Sequence, residues 1–520
     1  MLVTPTDQAA LNASEIVDRN LQAGREGKAA FLFEDRSITY GELAREVARA
    51  GRFLAHLGVE REDRVLLILD DTPAWPALFL GAMRIGAVPV PVSPLDRDDN
   101  FAYFVADSYA RVVVAEAPVA VRLSGLLDPA TTLVVANGSH PDAIDLAAGM
   151  AAQEPELDPV ATHRDDMAFW LYSSGSTGRP KGVVHLHHDI DVTCETYARE
   201  ILGVREDDVH LSTTKLYHAY GMGNTLSFPL YFGATAVLRP GPPRPPAIAE
   251  ALARHRPTLF FSVPALYGAL LAAPDLPDDL LGRVRLCVSA AEALPPSILE
   301  RWRERFGVEI LDGIGSTELL HIFCSNVSGD LRPGTSGRPV PGYDLRLIDA
   351  DGAVVEGEGE GALEVRGDSC APLYWHHHEK TKQCMRGDWC LTGDRYRREA
   401  DGTYAYEGRM DDMLKVGGLW VSPIDMEHVL LSHPRVNGVG VIGVQVEDAT
   451  RIAAYVEADG GDAELADELR TWCKERLRRY EYPHIVEFVD DLPRTLTGKV
   501  QRFALRERAD RSRQGDVLQA

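Results

Sequence analysis

Apolar residues fall at helical spacing through "SITYGELAREVARAGRFLAHLGV" (Ser37–Val59), after an opening turn, and predict an amphipathic helix. "DRVLLILDD" follows without alternation and reads as a buried strand. Similar apolar runs recur between helical stretches: "ARVVVAEA", "TTLVVAN", "ATAVLRP", "PTLFFSV" and "RVRLCVSA". Strands alternating with helices predict α/β layers around parallel sheet. "ALFLGAMRIGAVPVPV" (Ala77–Val92) is interrupted by Arg84, Gly86 and two prolines, so it predicts a buried helix running into a strand, not a membrane span. "PGPPRPP" (Pro240–Pro246) reads as a loop, because prolines cannot donate to a ladder.

Beyond residue 340 the texture changes. "YDLRLIDADGAVVEGEGEGALEVRG" is short strands separated by Asp-Gly and Glu-Gly turns, which predicts a small β subdomain. "GRMDDMLKVGGLWVSP" (Gly408–Pro423) is charged and Gly-rich, and roughly a hundred residues with their own strand–helix pattern follow it. The domain boundary is placed at Arg409–Asp411, giving an N-terminal domain of residues 1–409 and a C-terminal domain of residues 410–520.

Length agrees with this division, since 520 residues exceed one compact core. A net charge of -24 argues against nucleic acid as the main partner but leaves room for local basic pockets. Cys194, Cys287, Cys324, Cys370, Cys384, Cys390 and Cys473 form no CxxC pair, and the first residues lack a basic start with an apolar run. Free thiols in a reducing compartment are expected, in a cytoplasmic protein away from membranes, monomeric or homodimeric.

Some signals lead nowhere. "GVGVIG" (Gly438–Gly443) fits GxGxxG but opens no helix, and is read as a strand. "HLHHD" (His185–Asp189) and "HHHE" (His376–Glu379) lack HExxH spacing and are read as solvated or turn histidines. No GxSxG elbow supports a serine hydrolase.

The chemistry starts at "YSSGSTGRPKGVVH" (Tyr172–His185). Glycines let backbone N–H groups approach an anion, hydroxyls add donors, and Arg179 and Lys181 add positive charge. A polyphosphate is the candidate guest. The loop is not a Walker A motif, because Pro180 and Gly182 flank Lys181. "DGIGSTE" (Asp312–Glu318) ends in a hydroxyl and a carboxylate, and Glu318 suits Mg²⁺ held against phosphates. "LTGDRY" places Asp394 after a Thr-Gly turn, where a carboxylate accepts from both hydroxyls of a ribose, and "PRTLTGKVQR" carries Lys499 on a Gly turn.

"YSSGSTGRPKG", "GSTE", "TGD", "GRMDDMLKVGG" and "TGK", in this order, resemble the adenylate-forming superfamily of acyl- and aryl-CoA ligases, peptide-synthetase adenylation domains and luciferases. The resemblance implies an α/β fold: a large N-terminal domain of layered sheets and helices with a β subdomain, plus a small mobile α+β C-terminal domain. It implies that Ser173, Ser174, Gly175, Ser176, Thr177, Gly178 and Lys181 hold the β- and γ-phosphates of ATP. Ala290, Ala291 and Glu292 would border adenine, and Asp312 and Gly313 are further nucleotide-binding candidates. Thr317 would contact the α-phosphate, Glu318 the Mg²⁺, and Asp394 and Arg409 the ribose. Asp411 would be the hinge, and Lys499 would bridge the acid carboxylate and the α-phosphate. A carboxylate attacking phosphorus brings two anions together, which asks for cations at that point. The hinge would then swing Lys499 out and let a thiol in. A non-catalytic nucleotide-binding regulator would have no need of Lys499.

A narrower likeness is to the benzoate-CoA ligases, in "KLYHAYGMGN", "LDGIGSTELLHIFCSN" and "GTSGRPVPGYDLRL". It implies a flat apolar pocket for an aryl carboxylic acid at Ala219, Tyr220, Gly315, His321 and Ile322. Tyr217 and His218 depart from the family's two phenylalanines, and "SAAEALP" carries Ala291 for Gly. A hydroxyl and an imidazole in place of two apolar rings point to a hydroxy- or aminobenzoate. Lys499, Thr317, Glu318 and His218 are the catalytic candidates. CoA is the favoured acceptor. "YEYPH" (Tyr480–His484) replaces two basic positions of the family with Glu481 and His484, with Arg476, Arg478 and Arg479 nearby. A carrier-protein pantetheine, or nitrite activation for diazotising an aryl amine, stay open as alternatives.

Overall fold

A computed structural model describes residues 10–173, 179–273, 276–410, 414–416, 419–446, 449–477, 481–494 and 500–517. The first predicted helix spans Tyr40–His56. A capping box starts it, with Thr39 accepting from the Glu42 N–H and Glu42 reaching back to Thr39. It crosses the buried helix Ala74–Arg84 at two glycines. A β-carbon on Gly51 would lie 2.9 Å from the Gly81 carbonyl, and one on Gly81 would lie 2.8 Å from the Gly51 nitrogen.

That second helix runs into the strand Val88–Pro91, as the sequence predicts. Pro89 and Pro91 are tolerated because this strand is the edge of a five-stranded sheet in the order Val88–Pro91, Arg64–Ile68, Ala110–Glu116, Thr132–Ala136, Ile144–Asp145. Every ladder in it is parallel, and all its strands but the exposed edge Ile144–Asp145 are mainly buried apolar runs, as sheets covered on both faces require.

A second sheet of nine strands carries the site. Its centre is parallel, with Val209–Ser212, Leu259–Ser262, Leu286–Ser289 and Ile310–Gly315 side by side. Their carboxyl ends open one edge, where ligands of open α/β sheets bind. Beyond lies the β subdomain, with Asp344–Ile348, Gly359–Arg366, Trp389–Arg398 and Tyr404–Arg409 antiparallel. The C-terminal part pairs Val436–Val446 with Ala449–Ala458 and the latter, in parallel, with Ile485–Phe488. Helices Pro423–Leu431 and Ala463–Arg476 pack into its core, so it is α+β as the sequence texture implies. "GVGVIG" lies inside the strand Val436–Val446.

Two expectations need correction. "PGPPRPP" is not loop throughout, because Pro245 and Pro246 open the helix Pro245–His255. Proline suits the first helical turn, where its missing N–H would have no partner anyway. "HLHHD" is not solvated: His185 and His187 are buried. His187 Nδ1 accepts from the Ala13 N–H at 3.0 Å, and burial lowers its pKa to about 4. Among the described residues no helix is long and apolar enough to cross a membrane.

Candidate active site

Strands Met167–Ser173 and Lys181–Leu186 form a hairpin whose last pair is Ser173 with Lys181. The pairing sets the hydroxyl and the cation at the mouth of the hairpin, opposite the turn Thr317–Leu319 that follows the strand Ile310–Gly315. Three consecutive carbonyls of that turn are each held by a donor from elsewhere. His185 Nε2–H donates to Thr317 O at 2.8 Å, Ala371 N–H to Glu318 O at 2.8 Å, and Ser369 Oγ–H to Leu319 O at 2.8 Å. His185 is oriented by Asp189 at 2.8 Å on its Nδ1 side and stacks on Phe169. The Glu318 carboxylate accepts from Tyr374 Oη–H at 2.8 Å. Lys181 Nζ lies 4.6 Å from the centre of the Tyr374 ring. Desolvation lowers the Lys181 pKa, with Glu318 opposing it.

The nucleoside side is built by strand register. Asp394 pairs with Arg409 across two antiparallel strands, and Arg409 Nη1 donates to Asp394 Oδ1 at 3.0 Å and to Thr392 O at 3.0 Å. Burial works against the Arg409 charge, Asp394 favours it, and the balance raises its pKa. Ala290, Ala291 and Glu292 follow the strand Leu286–Ser289. Ala291 has φ of +78°, the left-handed region that favours glycine, so the substituted position is a strained one. Burial raises the Asp312 pKa well above the carboxylate range. Gly313 lies in the adjoining strand, where a β-carbon would meet Cys324 O at 2.9 Å.

The ring pocket gathers around His321. Its imidazole lies 4.5 Å from Phe228, 5.2 Å from Tyr197 and 5.5 Å from Tyr220, centroid to centroid. Burial drives its pKa to about 3, so the ring is neutral. Tyr220 Oη–H donates to Val288 O at 3.1 Å, and Ala219 and Ile322 belong to the same buried core. Gly315 is required, since a β-carbon would lie 2.5 Å from His321 O. Tyr197, Phe228 and Gly223 escaped sequence reasoning. Gly223 stands inside "KLYHAYGMGN", but Tyr197 and Phe228 sit in no motif and reach His321 only through the fold. Two π-helical stretches, Cys194–Ile201 and Gly223–Ser227, carry Tyr197 and Gly223, and such widened turns are frequent at functional sites.

Other assignments gather less closely. Tyr217 is buried and lies 4.8 Å from the His218 ring. His218, the N-cap of the short helix Ala219–Met222, is half-buried beside the pocket residues that follow it. Ser174, Gly175, Ser176, Thr177, Gly178, Asp411, Arg478, Arg479 and Lys499 lie outside the described residues. Glu481 is buried, so the "YEYPH" stretch is not the open charged surface its composition suggests. Arg476 stacks on Trp472 at 3.4 Å. Among the described residues no group of three or more His, Cys, Asp or Glu is arranged to hold a metal. A single carboxylate at Glu318 still suits Mg²⁺, which takes one or two carboxylates and fills its shell with water and substrate phosphates.

Residues 18–375 match the AMP-binding enzymes, and residues 425–499 match the AMP-binding enzyme C-terminal domain. This chain belongs to the AMP-binding enzyme family. The adenylate-forming resemblance therefore holds, and the narrower likeness holds with it. The chain is 47% identical over 503 residues to a benzoate–CoA ligase of Thauera aromatica, covering 95% of each chain. It is 44% identical over 504 residues to a 4-hydroxybenzoate–CoA/benzoate–CoA ligase of Rhodopseudomonas palustris, covering 95% of this chain and 93% of that one. A solved anthranilate CoA ligase in complex with anthranoyl-AMP superposes with a TM-score of 0.93 at 38% identity, covering 97% of this chain and 98% of that one. Within this AMP-binding enzyme, the match to relatives extends across both the sheet-borne cleft and the C-terminal α+β part.

Proposed function

We propose that this protein is an ATP-dependent ligase that joins an aryl carboxylic acid to CoA through an aryl-adenylate, acting on a hydroxy- or amino-substituted benzoate. The observation that carries the reading is the short segment Thr317–Ile322, which has two unlike ends. Lys181, Thr317, Glu318 and the Asp394–Arg409 pair line one end, and an aromatic box around a neutral His321 lines the other. Its whole-length likeness to aryl–CoA ligases supports the same reading.

Each residue has a task in this reaction. Lys181 and the hydroxyl loop receive the outer phosphates, and Asp394 with Arg409 holds the ribose. Bound Mg²⁺ would supply charge neutralisation at the phosphates, with Glu318 as its protein ligand. Thr317 faces the α-phosphate, its backbone fixed by His185, so the donor needs no reorganisation as charge moves. Tyr220, His321 and Ile322 lay the aryl ring flat and direct its carboxylate towards that phosphorus. Lys499 bridges the two anions during attack and then leaves on the C-terminal domain, hinged at Asp411, before the thiol enters. Enclosure of the adenylate keeps water from it.

The substituent assignment rests on Tyr217 and His218, whose rings lie 4.8 Å apart. CoA is the acceptor in this reading, although Arg476, one of the arginines expected to help hold it, packs over Trp472. The test is pyrophosphate release over a panel of substituted benzoates, followed by thioester formation with CoA and with pantetheine. Acid-dependent release, strongest with a hydroxy- or aminobenzoate, and a strong preference for CoA are expected. Equal turnover of a long-chain fatty acid would sink the aryl assignment. Poor saturation by both thiols would reject CoA and leave a carrier-protein pantetheine, or nitrite activation for diazotising an aryl amine, each tested by supplying it.

A further inference from the structure

The phosphate end contains one side chain that touches both of its opposite charges and has no part in any motif. Tyr374 donates its phenol hydrogen to Glu318 Oε1 at 2.8 Å, while the face of its ring lies 4.6 Å from Lys181 Nζ. The phenol has one hydrogen and a second neighbour, Cys384 Sγ, at 3.2 Å. The shorter contact, to an ionised acceptor, is the stronger.

The backbone of Tyr374 is as constrained as its side chain. Val184 N–H donates to Leu373 O at 3.2 Å and Trp375 N–H to Gly182 O at 2.8 Å, so residues 373–375 run as a short extra strand along the hairpin that carries Lys181. Tyr374 and Val183 form a β-bridge within it. Tyr374 N–H also donates to Thr381 Oγ1 at 3.0 Å, and Trp375 packs at a tilt against Trp170, centroids 4.4 Å apart. The ring therefore has one place to be, between the ammonium and the carboxylate. Without it, Lys181 and Glu318 attract one another across the site, and a direct ion pair would occupy the oxygen and the ammonium that the phosphates and metal need.

We infer that Tyr374 is a positioning residue of the phosphate site: its hydroxyl aims the Glu318 carboxylate, and its ring seats the Lys181 ammonium and keeps the two apart. The inference rests on the proposed ATP-dependent reaction for its catalytic consequence, but not for its binding consequence. A hydrogen bond to a charged group and a cation over an aromatic face are separable by substitution. Tyr374→Phe removes the first and keeps the second, while Tyr374→Leu removes both.

The experiment is calorimetric titration of the full-length protein with ATP, with and without Mg²⁺, beside the Mg²⁺ dependence of pyrophosphate release. Tyr374→Phe should bind metal-free ATP like the parent, but need about tenfold more Mg²⁺ for half-maximal release. Tyr374→Leu should also weaken metal-free ATP binding about five- to tenfold. Thiol transfer from supplied aryl-adenylate should stay within about twofold of the parent in both, because that step uses neither outer phosphates nor metal. Parental Mg²⁺ dependence in Tyr374→Phe, or equal ATP binding by the Phe and Leu variants, overturns the inference. A uniform fall in both half-reactions with a lowered melting temperature also overturns it, in favour of a packing role. If no aryl acid drives release even in the parent, the proposed reaction fails while the ATP titrations still decide Tyr374.

Discussion

Replacing Gly223 by alanine tests whether the box around His321 is the aryl pocket. A β-carbon there would lie 2.3 Å from His321 Cδ2 and 2.6 Å from Nε2, and 3.2 Å from Phe228 Cζ. Ordinary contact needs roughly 3.5 Å or more between carbons, so the ring must retreat by about an ångström. Tyr197, Tyr220 and Phe228 stand around it with centroids at 5.2, 5.5 and 4.5 Å, which leaves the ligand space as its direction of escape. Overpacking of this kind costs about 1–3 kcal/mol. If the displaced imidazole enters the ring pocket, the acid must push it back, and the same energy appears as a rise in KM for the acid of roughly 5- to 150-fold. KM for ATP should stay put, because the nucleotide residues lie at the other end of the segment Thr317–Ile322. Pyrophosphate release, titrated separately in acid and in ATP, reads both constants, and a urea melt reads the share borne by folding. Pairing the change with His321→Ala should remove most of the penalty, as a double-mutant cycle. A parental KM for the acid together with a parental urea midpoint would refute the geometry. A rise in KM for ATP equal to that for the acid would refute the assignment of the pocket.

Lys499→Ala should lower adenylate formation by on the order of 10² while sparing thiol transfer from supplied aryl-adenylate; equal losses in both half-reactions would reject the two-conformation scheme. Tyr217→Phe with His218→Phe should shift preference towards unsubstituted benzoate by about 1–3 kcal/mol; competition between benzoate and its hydroxy or amino analogues measures it. Ala291→Gly should stabilise the fold by up to about 1 kcal/mol, by relieving the left-handed backbone at φ +78° against the added freedom of glycine in the unfolded chain; a lowered urea midpoint would contradict the strain. Asp71 gives a pH dependence. Burial raises its pKa from 3.8 to about 7, so the folded chain holds a proton that the unfolded chain releases. Its contribution to stability is present at low pH and is lost as pH rises towards about 7. Asp71→Asn keeps an acceptor for the Leu216 N–H at 3.1 Å and should flatten that decline in urea melts across the window.

Local pattern made much of the fold legible. The helix Tyr40–His56 shows itself by spacing and by Thr39 and Glu42 three residues apart, because capping is a local event. The parallel strands show as apolar runs because burial on both faces leaves polar residues no place. His185 and His187 were misread for the converse reason. A buried polar side chain is licensed by partners far along the chain, here Thr317 for His185 and Ala13 for His187, and spacing says nothing of them. Motifs located Glu318, Asp394, Arg409 and His321. Tyr374 and Tyr197, which hold or enclose those residues, belong to pairings that exist only once the sheets are assembled.

The turn Thr317–Leu319 has each of its carbonyls tied to a different part of the chain, at His185, Ala371 and Ser369. His321 is walled by side chains from Tyr197, Tyr220 and Phe228, which those ties do not include. The machinery that activates a carboxylate is thus anchored separately from most of the surface that chooses which carboxylate arrives. A lineage, or an engineer, can recut the box by single substitutions at positions 197, 220 and 228 and inherit the phosphate chemistry unaltered. Changes at 185 or 369, whose ties are made by side chains, would instead reach every substrate alike, whatever its ring.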